Sequence, residues 1–263
     1  MSEAVTITSG ALTARIDPLG AELLSLTDAA GSEWMTDANP EFWGGHAPLL
    51  FPIVGGLAGD CLRHQGREYH LPRHGFARRS RFALVEQAAD RAVFRLADTA
   101  ATREIYPFAF GLEVAFALTG HQLAMIATVA NPGDETLPFS FGFHPAFAWP
   151  LPGGGDKAGH AISFAGDEPQ PVRRLDAAGL LAGSEATPVV GGSLPLSPEL
   201  FADDALIWEQ LASRRLEYRS PAGPWLEAGF DLPQLGIWQV PGGNYICIEP
   251  WADAKTSRII FSA

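Results

Sequence analysis

The chain has 263 residues, a formal net charge of −12 and a pI of about 4.9. That balance disfavours nucleic acid and anionic membrane surfaces as partners. With 47% hydrophobic and 18% charged residues, the chain can build a sizeable core, and the composition excludes global disorder.

Short runs of alternating polarity dominate from the start. Val5–Thr8 and Leu12–Ile16 are the first strand candidates, followed by Ala92–Leu96. Leu112, Val114, Phe116 and Leu118 share one face of a strand. Leu123, Met125, Ala127 and Val129 do the same after a turn at residues 119–122, as a hairpin requires. Further candidates are Phe139–Phe143, Leu216–Tyr218, Trp225–Phe230, Tyr245–Glu249 and Arg258–Phe261. Pro150–Gly159 and Ala182–Leu196 read as loops. Leu196–Leu211 is the one stretch expected to hold a short helix, with Ser197-Pro198 as its start signal. The 28 glycines and 21 prolines fall between these runs as turn punctuation. Many short, closely spaced strands predict an all-β fold, a sandwich or barrel. No composition shift marks a boundary, so residues 1–263 are expected to form a single domain.

No apolar run is long enough to span a bilayer, and Met1-Ser2-Glu3-Ala4 does not open a secretory signal. Cys61 and Cys247 lie far apart and in no Cys-x-x-Cys arrangement. The expectation is a soluble cytoplasmic protein with reduced thiols.

Three segments carry chemistry. Glu249 lies in Tyr245-Ile246-Cys247-Ile248-Glu249-Pro250-Trp251, where a carboxylate is costly to desolvate and its pKa rises toward that of a general base. The plainer explanation is a carboxylate that reaches solvent where Pro250 ends the strand. His144 follows a strand on which Ser140 and Gly142 share its face, and Gly142 leaves space there for a ligand or another backbone. The alternative is a core histidine held by a carbonyl. His74 lies between Arg73 and Gly75, with Arg78 nearby, and clustered cations favour a neutral imidazole. His70 and His74 have the spacing of a zinc-binding helical pair, but Pro72 between them breaks such a helix. No metal is therefore expected. Gly55–Asp60 lacks the ending of a P-loop, and no Gly-x-Ser-x-Gly elbow occurs. Trp34, Trp43, Trp149, Trp225, Trp238 and Trp251 are either core or sugar-stacking rings.

Taken together, Leu50-Phe51-Pro52-Ile53-Val54-Gly55, Arg73-His74-Gly75-Phe76-Ala77-Arg78, Tyr106-Pro107-Phe108, Phe141-Gly142-Phe143-His144-Pro145-Ala146-Phe147, Asp203–Ile207 and Ile248-Glu249-Pro250-Trp251 resemble the aldose 1-epimerase (galactose mutarotase-like) family, in its shorter bacterial branch. The resemblance implies a large twisted β-sandwich, the galactose mutarotase-like supersandwich, with a sugar cleft on one concave face. It implies Glu249 as general base and His144 as general acid, the two on opposite sides of the sugar. Glu249 starts ionised and His144 protonated. It further implies His74 near the ring oxygen, Asp204 (or its neighbour Asp203) on the sugar hydroxyls, and Trp238 facing the cleft. Where the family commonly has an arginine, this chain has Gly56, with Arg63 or Arg78 as replacements. The implied partner is a small sugar, a free hexose or its phosphate, acted on without cofactor or metal by a monomer or homodimer. Arg73, Arg78 and Arg79 are the candidates for holding a hexose 6-phosphate. A non-catalytic sugar-binding protein on the same fold is the remaining alternative.

Overall fold

The computed structural model describes residues 4–252 and 256–262. Its strands follow the alternating runs: Val5–Thr8, Leu12–Asp17, Arg91–Ala97, Gly111–Thr119, Gln122–Ala130, Arg215–Arg219, Trp225–Phe230, Tyr245–Ala252 and Thr256–Ser262. In the Gly111–Thr119/Gln122–Ala130 hairpin, Leu118 faces Leu123, Phe116 faces Met125, Val114 faces Ala127 and Leu112 faces Val129. All eight are buried, so the period-2 pattern sets both the register and the inward face.

Two antiparallel sheets form the body. One has nine strands, in the order Ser193–Pro195, Ala161–Phe164, Arg215–Arg219, Trp225–Phe230, Thr256–Ser262, Gln122–Ala130, Gly111–Thr119, Arg91–Ala97, Ala83–Gln87. The other has eight. Its path runs Leu181–Glu185, Val172–Leu175, Leu206–Trp208, Gln234–Trp238, Tyr245–Ala252, Phe141–Phe143, Leu49–Leu50, with Ala146–Ala148 also paired to Tyr245–Ala252. A continuous cluster of buried apolar residues draws on both sheets and on the N-terminal strands, as in a sandwich. Phe147 of one sheet meets Phe261 of the other edge to face at 4.9 Å.

Tyr245–Ala252 is buried along its whole length and near the middle of its sheet. Ile246, Ile248 and Ala252 join the core between the sheets. Tyr245, Cys247 and Trp251 join separate clusters, so the odd-numbered residues, Glu249 included, form the opposite face.

Three expectations are corrected. Residues 196–211 hold a single 3₁₀ turn, Pro198–Phe201, and then the strand Leu206–Trp208. Ser197 makes no capping bond, and Asp204 turns the backbone to φ 66°, which ends any helix. Residues 182–196, expected as loop, contain the strands Leu181–Glu185 in part and Ser193–Pro195. The space expected beside Gly142 is filled by an indole, since a Cβ at Gly142 would lie 2.5 Å from Trp251 Cδ1. Gly236 meets the other end of the same ring, with a virtual Cβ 2.6 Å from Trp251 Cζ2. Two glycines on the neighbouring strands thus make room for one tryptophan. The one α-helix among the described residues, Ala100–Ile105, is closed by a Thr99–Thr102 capping box and is too short to show helical periodicity in sequence. Among the described residues no helix is long and apolar enough to cross a membrane.

Gly142→Ala should therefore lower stability by about 1–3 kcal/mol through overpacking against Trp251. Urea unfolding would show this as a lower midpoint with an unchanged slope.

Candidate active site

The site begins as a matter of strand register. Gly142 pairs with Trp251 and Ala146 pairs with Cys247. The two short strands Phe141–Phe143 and Ala146–Ala148 therefore keep a common register along Tyr245–Ala252, which sets His144 opposite Glu249. His144-Pro145 interrupts the ladder between them, and Ile248 N–H donates to the Pro145 carbonyl at 3.1 Å. His144 Nε2 ends 3.2 Å from Glu249 Oε1. The two residues are 8% and 3% exposed. The strand continues past Pro250 to Ala252, so Glu249 is not a strand-end carboxylate reaching water. The two groups touch, rather than standing on opposite sides of a sugar-sized gap.

Burial acts on both. It raises the Glu249 pKa well above the ordinary value, helped by the nearby Asp204 and opposed by Arg73. It lowers His144 to about 3, with Arg78 and Arg73 adding to the effect. Each group is thus pushed toward its neutral form. Trp43 stacks on the His144 ring, centroids 5.1 Å apart at 29°. Trp238 meets both rings edge-on, at 5.8 Å from His144 and 5.6 Å from Trp43. The segment carrying Trp43 is tied down by Glu22, whose carboxylate accepts from the His46 and Ala47 amides at 2.7 and 3.0 Å.

His74 enters from a different part of the chain. Its backbone is left-handed at φ 64°, as is that of Gly75. A Cβ at Gly75 would lie 2.2 Å from the Phe51 carbonyl oxygen, so only glycine lets the chain bring His74 this close. The Gly55 amide donates to His74 Nδ1 at 3.1 Å, and the His74 amide donates to the Gly55 carbonyl at 2.8 Å. Burial first, then His144, Arg73 and Arg78, lower its pKa to about 2. The imidazole is neutral, and with Nδ1 accepting, its proton is on Nε2. His70, on the Arg67–His70 strand, is exposed, so the spacing of His70 and His74 builds no metal site.

These groups line a cavity of about 640 Å³, within the range of small-molecule sites. Glu249, His144, His74, Asp204, Trp238, Arg73 and Arg78 all border it, as does Gly56. Asp203 and Arg79 do not border it, and Arg63 is on the surface, paired with Glu68. Asp204 is held by its own turn, its Oδ1 accepting from the Ala205 amide at 2.7 Å. Sequence reading missed Trp251 as a cavity wall, along with Gln234, Glu209 and Leu180–Leu181. Trp251 was legible, being two residues beyond Glu249 on the same strand face. Trp43 stood in the sequence as one tryptophan among several, and nothing local ties it to His144. Trp34 and Trp149 are core, and Trp225 is exposed. Arg78 Nε, His144 Nδ1 and Trp251 Nε1 are buried without a hydrogen-bond partner, and all three residues line this cavity. Buried orphan polar atoms are rare in folded proteins; four others among the described residues lie outside this cavity, and the three at its wall are candidates for contacts to a ligand.

Residues 3–182 match the family model for aldose 1-epimerase. The chromosomal protein LacX of Lactococcus lactis subsp. lactis is 33% identical over 258 residues, covering 94% of this chain and 86% of LacX. Among solved structures, a galactose mutarotase related enzyme from Lactobacillus acidophilus superposes with a TM-score of 0.88 at 32% identity, covering 98% of this chain and 96% of that one. A galactose mutarotase-like protein from Lactobacillus casei gives 0.86 at 25% identity, with 98% of each chain covered. The chain belongs to the aldose 1-epimerase family.

Proposed function

We propose that this protein is a mutarotase that interconverts the α and β anomers of a hexose by acid–base opening and closing of the ring. The observation that carries this reading is the buried His144–Glu249 contact of 3.2 Å in the wall of a sugar-sized cavity. Anomer exchange moves two protons, one off the C1 hydroxyl and one onto the ring oxygen. Both oxygens are bonded to C1, so two touching side chains can serve both positions.

Glu249 takes the hydroxyl proton while His144 protonates the ring oxygen. The C1–ring-oxygen bond breaks and C1 becomes an aldehyde. Rotation about C1–C2 presents its other face, and the reverse proton transfers close the ring. The step turns ionised Glu249 and protonated His144 into a neutral acid and a neutral imidazole. These two states have the same proton count and differ by one transfer across the contact. Burial favours the neutral pair. The Trp43 face on the imidazole supports the charged one, while Arg73 favours ionised Glu249 but opposes protonated His144. His74 Nε2–H is placed to donate to the sugar, Asp204 to accept from its hydroxyls, and Trp238 to stack on its apolar face. Proton transfer is all the chemistry required.

A second reading is favoured by one feature. Arg73 and Arg78 line the cavity, and neither has a carboxylate partner among the described residues. Two guanidinium groups without a carboxylate partner suit a hexose 6-phosphate, although Arg78 already donates to the Arg73 carbonyl at 3.0 Å. We assign the enzyme to the cytoplasm as a single domain, in keeping with the free thiols Cys61 and Cys247.

Glu249→Gln should reduce catalysed mutarotation by about 10²–10⁴-fold, with circular dichroism unchanged. Full activity of that variant on glucose, galactose and glucose 6-phosphate, followed by polarimetry, would overturn the assignment. A higher kcat/KM for glucose 6-phosphate than for glucose selects the phosphosugar reading, and the reverse order rejects it. The pH dependence has a worked sign. The active pair holds one shared proton. It gains a second as pH falls through the His144 value, lowered from 6.5 to about 3, and loses the first as pH rises through the Glu249 value, raised well above 4.5. The kcat/KM profile should therefore be bell-shaped, with its acid limb well below the ordinary histidine range. An acid limb near 6.5 would contradict a desolvated His144.

A further inference from the structure

The strand face that presents Glu249 also presents Cys247, which has no part in the proton transfers above. One ligand atom from each of His144, Cys247 and Glu249 lies within 4.8 Å of the other two, and all three residues are buried. His144 Nε2 and Glu249 Oε1 are already 3.2 Å apart. Ligands of a tetrahedral zinc ion, bound at about 2.0 Å through nitrogen or oxygen and about 2.3 Å through sulfur, lie about 3.3–3.7 Å from one another. Cys247 Sγ lies within 4.8 Å of both other donors, so an approach of no more than about 1.3 Å completes such a set. His144 and Glu249 border the cavity, so the fourth position faces the space a ligand would enter. Three protein ligands with an open fourth position make an exchangeable site rather than a closed structural one.

We propose that His144, Cys247 and Glu249 form a binding site for a borderline divalent cation of the zinc type, and that occupying it shuts off the acid–base pair. The donor set decides the ion. One imidazole nitrogen, one sulfur and one carboxylate suit zinc or cobalt, whereas magnesium and calcium select oxygen. The imidazole is held neutral, so its lone pair is available. Burial and the neighbouring Glu249 keep the thiol protonated in the empty site. A bound cation reverses that balance, and the thiol proton leaves to solvent as the metal–sulfur bond forms. Bound metal takes the imidazole lone pair and the carboxylate that the sugar reaction uses, so metal and catalysis exclude each other. The binding claim stands on geometry alone, while its effect on activity rests on the mutarotase reading.

The test titrates the metal-free protein with cobalt(II) and, separately, with zinc against a chromophoric chelator. Wild-type protein should take up one ion per chain and show a thiolate-to-cobalt charge-transfer band. Cys247→Ser and Cys247→Ala should lose the band and bind zinc at least about tenfold more weakly, while keeping their metal-free mutarotation rate. Zinc should inhibit wild type reversibly, with activity restored by a chelator, and magnesium at the same concentration should not. No charge-transfer band in wild type, or equal zinc affinity in Cys247→Ser and Cys247→Ala, overturns the site. A band in protein that epimerises no sugar upholds the site and overturns the mutarotase reading.

Discussion

The register between Tyr245–Ala252 and its interrupted partner is the constraint on which the site depends. A cross-strand neighbour has Cβ atoms about 4.5–5.5 Å apart, and a one-residue slip would turn His144 to the other face. The Trp251 ring helps hold the register. It lies between Gly142 and Gly236 on the flanking strands, and a shift of either strand would drive a side chain into the indole. The interruption matters equally. Proline at 145 and at 250 removes two amide donors from this stretch, which frees the strand segment around His144 from the regular ladder without unpairing the whole edge.

What this geometry yields is a balance of opposing energies. At about 4 Å and an effective dielectric near 20, two unit charges attract by about 4 kcal/mol. Removing each ion from water costs several kcal/mol. Desolvation therefore outweighs the attraction, and burial pushes Glu249 and His144 toward their neutral forms. Arg73 favours ionised Glu249 while opposing protonated His144, and the Trp43 face favours the imidazolium. Small changes then move the proton across a 3.2 Å contact.

Much of this was legible in the sequence because strands encode burial at period 2. The Leu112–Leu118 and Leu123–Val129 faces, the odd-numbered face of the Glu249 strand and the all-β class follow from that period. Asp204 over Asp203 came from the resemblance and from no local pattern. It is decided by a single left-handed residue at φ 66°, in a stretch whose Leu, Ile and Trp spacing also suits a helix. The contact of Trp43 with His144 was hidden for a different reason. It joins residues about a hundred positions apart, through a segment with no regular structure that Glu22 anchors. Register across non-adjacent strands, which puts His144 against Glu249, is likewise invisible to any local pattern.

Gly56 illustrates how a missing side chain and a neighbouring loop are coupled. The resemblance sets an arginine at this position. Here a side chain begun at Gly56 first meets Leu180 Cδ2 at 3.8 Å and the Gly179 carbonyl at 3.9 Å. The turn between Val172–Leu175 and Leu181–Glu185 borders the cavity beside Gly56. That turn is itself ordered, with Asp176 accepting from the Ala178 and Leu180 amides, and a Cβ at Gly179 would lie 2.9 Å from an Arg73 guanidinium nitrogen. The wall there is lined by Leu180 and Leu181, and the cavity's arginines are Arg73 and Arg78. With no side chain at Gly56, that side of the cavity presents leucines while its cations stand at Arg73 and Arg78, so what the pocket can recognise there is set apart from the His144–Glu249 register.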